Sequence, residues 1–94
     1  MKADILIKVR FKTEIEGGRK GAITGSFYGC PLFVDGSGFD CRLFLDSKIE
    51  LGLTYEVPVK FMNPELVLPK LYPGKIFTLW EGKDVATGTV LKIL

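Results

Sequence analysis

Between Ala3 and Lys12 the apolar residues Ala3, Ile5, Ile7, Val9 and Phe11 alternate without a break with Asp4, Leu6, Lys8, Arg10 and Lys12. A period of two sends one set to one face of a strand and the other set to the opposite face. The same period returns in Phe39 to Asp46, with Phe39, Cys41, Leu43 and Leu45 inward. It returns again in Tyr55 to Met62, with Tyr55, Val57, Val59 and Phe61 inward. No window sustains the 3.6-residue period of a helix, so the chain is confined to β architecture. Half-apolar strands in an open sheet leave edges that pair with other chains, and closure removes them. The expectation is an all-β fold: a small six-stranded antiparallel closed barrel of Greek-key type, as a single domain over residues 1–94. With 94 residues and 47% apolar content, the chain lies near the small end of what buries a useful core.

Glycine and proline punctuate this pattern. Glu14 to Gly25 is a glycine-rich surface loop containing Glu16-Gly17-Gly18-Arg19-Lys20-Gly21. Ser26 to Asp35 has strand propensity interrupted by Gly29 and Pro31, which predicts an edge position or a bulge near Pro31. Asp35-Gly36-Ser37-Gly38 is a turn, and Ser47 to Gly52 is another. Pro58 removes a donor from its strand, so an irregularity is expected beside it. Asn63-Pro64-Glu65 ends that strand, and Leu66 to Tyr72 reads as an apolar connection without a helix.

The stretch Pro73 to Leu94 reads as a closing hairpin around Glu81-Gly82-Lys83-Asp84. Placing Phe77, Leu79, Val85, Leu91 and Ile93 inward requires one residue more than a two-residue loop, so a three-residue, bulged turn is predicted. On this parity Trp80 lies opposite Ala86, Thr78 opposite Gly88 and Ile76 opposite Val90, all on the outer face. The predicted core comprises Ile5, Ile7, Val9, Leu43, Val57, Val59, Phe77, Leu79 and Leu91.

Little in the composition supports catalysis. There is no histidine, no nucleophile beside an obvious base, and the carboxylates are scattered over turns. We therefore expect no catalytic residues, no metal and no cofactor. The glycine-rich loop lacks the Gly-Lys-Ser/Thr and following helix of a phosphate-binding loop. Cys30 and Cys41 can face each other across a hairpin, and two reduced, partly buried thiols are expected. A net charge of +2 is spread over 13 basic and 11 acidic residues, so no concentrated basic patch marks nucleic acid as the partner. No apolar run is long enough for a membrane span, and the amino terminus lacks a signal peptide's apolar stretch, so a cytoplasmic location with no membrane partner is the default.

Five landmarks in order resemble the C-terminal barrel of elongation factor Tu over nearly the whole chain. These are Glu16-Gly17-Gly18-Arg19 after the first strand, the proline-containing strand Tyr28 to Val34, and Gly52 before the Tyr55 to Met62 strand. Pro64 follows that strand, and the last landmark is Phe77-x-Leu79-x-Glu81-Gly82-x-x-Val85-x-x-Gly88-x-Val90 with its terminal Lys92-Ile93-Leu94. The resemblance implies a six-stranded barrel that binds rather than catalyses, since the family's GTPase chemistry resides in another domain. Glu81 and Gly82 match family positions at the tRNA surface. Trp80, Lys20-Gly21-Ala22 and Leu32 replace that surface's arginine, His-Thr-Pro and glutamine.

The expected function is a translation-related binding module whose site is the outer face of the closing hairpin: Trp80, Glu81, Gly82, Ile76, Gly88 and Val90. Leu6, Phe44 and Met62 add outward apolar surface. A protein partner or self-association is favoured. The alternative is an RNA- or tRNA-binding barrel using Arg19, Lys20 and Lys83.

Overall fold

A computed structural model describes residues 2–94. Six strands, β1 (Ile5–Phe11), β2 (Phe27–Val34), β3 (Ser37–Phe44), β4 (Thr54–Phe61), β5 (Ile76–Trp80) and β6 (Asp84–Ile93), close into one antiparallel barrel in the order β1-β4-β3-β2-β5-β6. The meander β2–β3–β4 with β1 returned beside β4 is a Greek key. Every strand has two neighbours, so no long edge is left exposed.

The period-two residues fill the interior. Ile5, Ile7, Val9 and Phe11 of β1 are buried, as are Cys41 and Leu43 of β3, Val57, Val59 and Phe61 of β4, and Phe77 and Leu79 of β5. Phe39, Leu45 and Tyr55 pack partly buried against them. Asp35-Gly36 makes the tight β2–β3 turn, with Val34 paired to Ser37 and φ of 52° and 78° at the two central residues. Positive φ at both positions is what a two-residue hairpin matching the strand twist requires.

The prolines lie where a ladder stops. Pro31 pairs with Asp40 of β3, while the β2–β5 ladder covers only Leu32 and Phe33. Pro58 pairs with Leu6 of β1, one residue beyond the last β3–β4 pair, Leu43↔Val59. Both strands stay regular, and β2 is locally edge-like rather than bulged.

Two further sequence expectations are corrected. The connection after β4 is helical at Pro64–Val67 (α1), followed by a 3-10 turn at Leu68–Lys70. These segments are too short for their periodicity to register in sequence. They lead from β4 to β5, three places round the ring, and Val67 and Leu71 join the core cluster.

The other correction concerns the register of the closing hairpin. Trp80 pairs with Asp84 across the three-residue loop Glu81-Gly82-Lys83, as the predicted loop length requires, but Leu79 then pairs with Ala86. Val85 is the bulged residue, and both Val85 and Ala86 are buried. A second bulge lies on the β1 side, where Leu6 pairs with Lys92 but Ile7 with Val90, so Leu91 is extra. Between the two bulges the phase of β6 is inverted. Phe77 therefore faces Gly88, Thr78 faces Thr87 and Ile76 faces Thr89. Val90 is 1% exposed and takes the core place expected for Leu91, which is only half-buried. Ile93 returns to the side of buried Ile5, but at the barrel's end, where it is 39% exposed.

Candidate functional site

The predicted hairpin site divides between the two faces of the barrel. Trp80, at 40%, and Ile76, at 71%, lie on the outer face. Both belong to β5, where inward Phe77 and Leu79 fix the parity. Gly88 and Val90 do not belong with them. Gly88 lies opposite inward Phe77, and a Cβ there would come within 2.7 Å of Phe77 Cζ and 2.4 Å of the Lys8 carbonyl oxygen. Its missing side chain makes room for a core phenylalanine and for the close approach of β1, not for a partner. Trp80 accordingly does not shield Gly88. Its indole lies against Phe33 of β2, with ring centroids 5.9 Å apart and planes tilted by 52°. Phe33 in turn covers Gly38, whose absent Cβ would meet the Phe33 ring at 2.8 Å. The aromatic neighbour of Trp80 thus comes from the β2–β5 seam, which local alternation does not reveal.

Glu81, at the hairpin tip, meets residues far away in sequence. Its Oε2 accepts a hydrogen bond from the Tyr28 hydroxyl, and Arg19 Nε lies 3.6 Å from the same oxygen. The Arg19 guanidinium also lies over the Tyr28 ring, 5.5 Å from its centroid, and its Nη1 donates to the Ala22 carbonyl at 3.4 Å. The Tyr28 ring also meets Phe11 edge-on at 5.6 Å. Burial first, and then the hydrogen bond to Glu81, pushes the Tyr28 phenol above its usual range. At neutral pH Tyr28 is therefore a fixed donor, tying the hairpin tip to β2 and to the glycine-rich loop.

That loop has its own internal brace. Glu16 accepts a forked pair of hydrogen bonds from Arg10 at 3.0 and 3.2 Å, and the Thr13 backbone N–H donates to it at 2.8 Å. These donors, Arg10 foremost, hold the Glu16 carboxyl down at about 2. Gly18 is buried where the loop folds back, since a Cβ there would fall 2.3 Å from the Lys12 carbonyl oxygen.

Of the residues expected to contact RNA, the structure brings Arg19 to the hairpin tip but sets it against a carboxylate. Lys20 and Lys83 are exposed, with Lys83 in the same turn as Glu81. Cys30 and Cys41 are directly opposite each other, both buried and unbonded, and Cys41 Sγ donates to the Cys30 carbonyl at 3.3 Å. The facing Cys30 side chain first, then burial, pushes the Cys41 thiol well up.

No protein-family model matches this chain, and no curated protein matches it in sequence. Among the described residues no group of three or more His, Cys, Asp or Glu is placed to hold a metal ion, and no helix is long and apolar enough to cross a membrane. What the outer face of β5 offers chemically is contact. It presents a half-exposed indole and an exposed isoleucine beside a hairpin tip held by charge-assisted hydrogen bonding.

Proposed function

We propose that this barrel is a non-catalytic module that binds a protein partner through the outer face of β5 and the tip of the closing hairpin. The observation that carries this reading is Trp80, 40% exposed on a tip fastened through Glu81 to Tyr28 and Arg19. A large aromatic ring presented on a rigid support loses little conformational freedom on binding, which is why such residues serve as anchors of interfaces. Ile76 extends the apolar surface along the strand, and Thr78 lies between them. Gly82 shapes the turn at a φ of 74°. Gly88 and Val90 belong to the core and are not part of the proposed site.

The RNA alternative is less well supported. Arg19, the arginine of the expected basic set, is ion-paired with Glu81, and its side chain is only 27% exposed. A carboxylate between that set and an incoming backbone opposes phosphate contacts, which supply most of such affinity. The resemblance to the elongation factor Tu barrel is what points to translation as the setting. A partner of the factor, or a toxin acting on translation, would fit a detached barrel of that kind.

The test is capture from cell extract on immobilised wild type and Trp80→Ala, scored separately for protein and RNA, with sedimentation to read self-association. The proposal expects a stoichiometric protein, or a second copy of this chain, to be retained by wild type and lost with Trp80→Ala at unchanged folding. RNA retained equally by both would overturn it.

A further inference from the structure

A second surface lies on the opposite side of the ring from the closing hairpin, and it does not depend on the hairpin reading. There β3 and β4 pair over three positions only, Cys41↔Phe61, Arg42↔Lys60 and Leu43↔Val59. The outer member of this ladder is Arg42 facing Lys60, two cations directly across from each other, an arrangement that destabilises a strand pair unless an anion lies between or beside them. Lys60 has a partial answer in Asp4, 3.8 Å away, but Asp4 Oδ2 also accepts the Phe61 backbone N–H at 2.8 Å. Among the described residues no carboxylate lies within ion-pair distance of Arg42. Its guanidinium rests instead over the exposed Phe27 ring, 4.7 Å from the centroid. Stacking there holds the planar group in place while leaving its N–H donors for another acceptor.

Beside these cations is a groove of about 250 Å³ lined by Arg42, Lys60, Phe61, Met62 and Pro64. Met62 is 67% exposed, a flexible apolar side chain of the kind that adapts to a partner's contours. Gly29, across from Arg42 on the β2 side, leaves that flank open.

We infer that this groove binds an acidic segment of a protein, with an Asp or Glu carboxylate on Arg42 and Lys60 and a neighbouring apolar side chain against Met62 and Pro64. Charge complementarity selects the acid, since a forked carboxylate matches a guanidinium whose donors are unused. The apolar wall selects a peptide over nucleic acid. A nucleic-acid backbone needs a track of several cations, whereas here there are two, with Asp40 two residues from Arg42 on the same strand and Asp4 beside Lys60.

The test is an amide NMR titration of the whole chain with the blocked tripeptide Leu-Glu-Leu, its Leu-Gln-Leu counterpart and a hexauridylate RNA. Saturable shifts at Arg42, Lys60 and Met62 are expected with the Glu peptide, about tenfold weaker with the Gln peptide because a charge-assisted bond is lost. Arg42→Gln should abolish the response with the rest of the spectrum unchanged, and Lys60→Gln should weaken it severalfold. The inference is overturned by absent or unsaturable shifts, by an equal response to the Gln peptide, by a response that survives both substitutions, or by a response of these amides to the RNA alone.

Discussion

Replacing Gly88 by alanine adds one methyl group, and the sign of its effect depends on which face of β6 that methyl enters. In the structure the new Cβ falls 2.4 Å from the Lys8 carbonyl oxygen, 2.7 Å from Phe77 Cζ and 3.0 Å from Phe77 Cε1. The oxygen belongs to the backbone of β1 and cannot retreat without disturbing the β1–β6 ladder, and Phe77 is 2% exposed, inside a close-packed core. Overpacking typically costs about 1–3 kcal/mol, and two simultaneous clashes place Gly88→Ala near the top of that range. A domain of this size has a stability of about 5–14 kcal/mol, so roughly 3 kcal/mol removes a substantial fraction of it. The melting temperature should fall by roughly 12–24 °C. Had Gly88 faced outward beside Trp80, alanine would instead be neutral or stabilise by about 0.4–1 kcal/mol through the unfolded chain. Urea and thermal unfolding followed by circular dichroism read the difference directly. Pairing Gly88→Ala with Phe77→Leu should recover part of the loss, with a coupling of about 1 kcal/mol or more, because the ring clash is relieved while the carbonyl clash remains. A change smaller than about 0.5 kcal/mol for Gly88→Ala alone would refute the inverted phase of β6.

Trp80→Ala should lower stability by only about 0.5–1.5 kcal/mol, the contribution of its contact with Phe33, while weakening partner binding by about 2 kcal/mol or more; thermal melts beside a binding isotherm separate the two effects. Glu81→Ala should remove the acceptor of the Tyr28 hydroxyl and the ion-pair partner of Arg19 and raise hydrogen exchange of the residue-81 amide, which donates to the Lys83 carbonyl at 2.8 Å, whereas unchanged protection there would show that the Glu81 side chain does not hold the tip. Because the Glu16 carboxyl is held at about 2 instead of 4.5, its contribution to stability is complete above about pH 4.5 and fades as pH falls from there toward 2. Glu16→Gln should flatten that part of the pH–stability curve, and a carboxyl NMR midpoint near 4.5 would contradict the Arg10 brace. Cys30 and Cys41, 8% and 3% exposed, should react with a thiol reagent such as DTNB only at the rate of unfolding, and rapid labelling of the native protein would show that the sheet opens there.

Much of the barrel was legible because most of its strands obey one period from end to end. β1, β3 and β4 each keep a single phase, so parity identified their buried residues, and the facing of Cys30 and Cys41 followed from the turn between them. β6 defeated the same reasoning. Val85 and Ile93 lie on the inner side at its two ends, as parity requires, but the bulges at Val85 and Leu91 reverse the phase between them. Two single-residue insertions cancel over the length of the strand, so a pattern anchored at both ends looks continuous. The signal that could have found the inversion was Val90: a single phase through β6 turned this apolar β-branched residue outward while turning Thr87 and Thr89 inward. Gly88 gave a second signal, since a glycine within a strand often marks the close approach of another group.

The candidate site shows why parity carries some functional features and not others. That Trp80 points outward is a local fact, set by Phe77 and Leu79 on the same strand. What Trp80 rests on and what Glu81 touches depend on closure, because β5 meets β2 only when the ring is complete. The β2–β5 ladder has just two pairs, Leu32↔Leu79 and Phe33↔Thr78, so beyond it the seam relies on side chains: Phe33 against Trp80, and Tyr28 with Arg19 on Glu81. The shortest ladder in the barrel is therefore adjacent to its most cross-linked hairpin tip. It follows that loss of these side-chain contacts should open the β2–β5 seam before any other. In the Tyr28→Phe variant, which keeps the ring packing on Phe11 but removes the hydroxyl donor, hydrogen exchange should accelerate at Leu32, Phe33 and Leu79 while protection in β1 and β4 is unchanged. Uniform acceleration throughout the barrel would instead mean that the two-pair ladder suffices and that the Glu81 cluster adds only global stability.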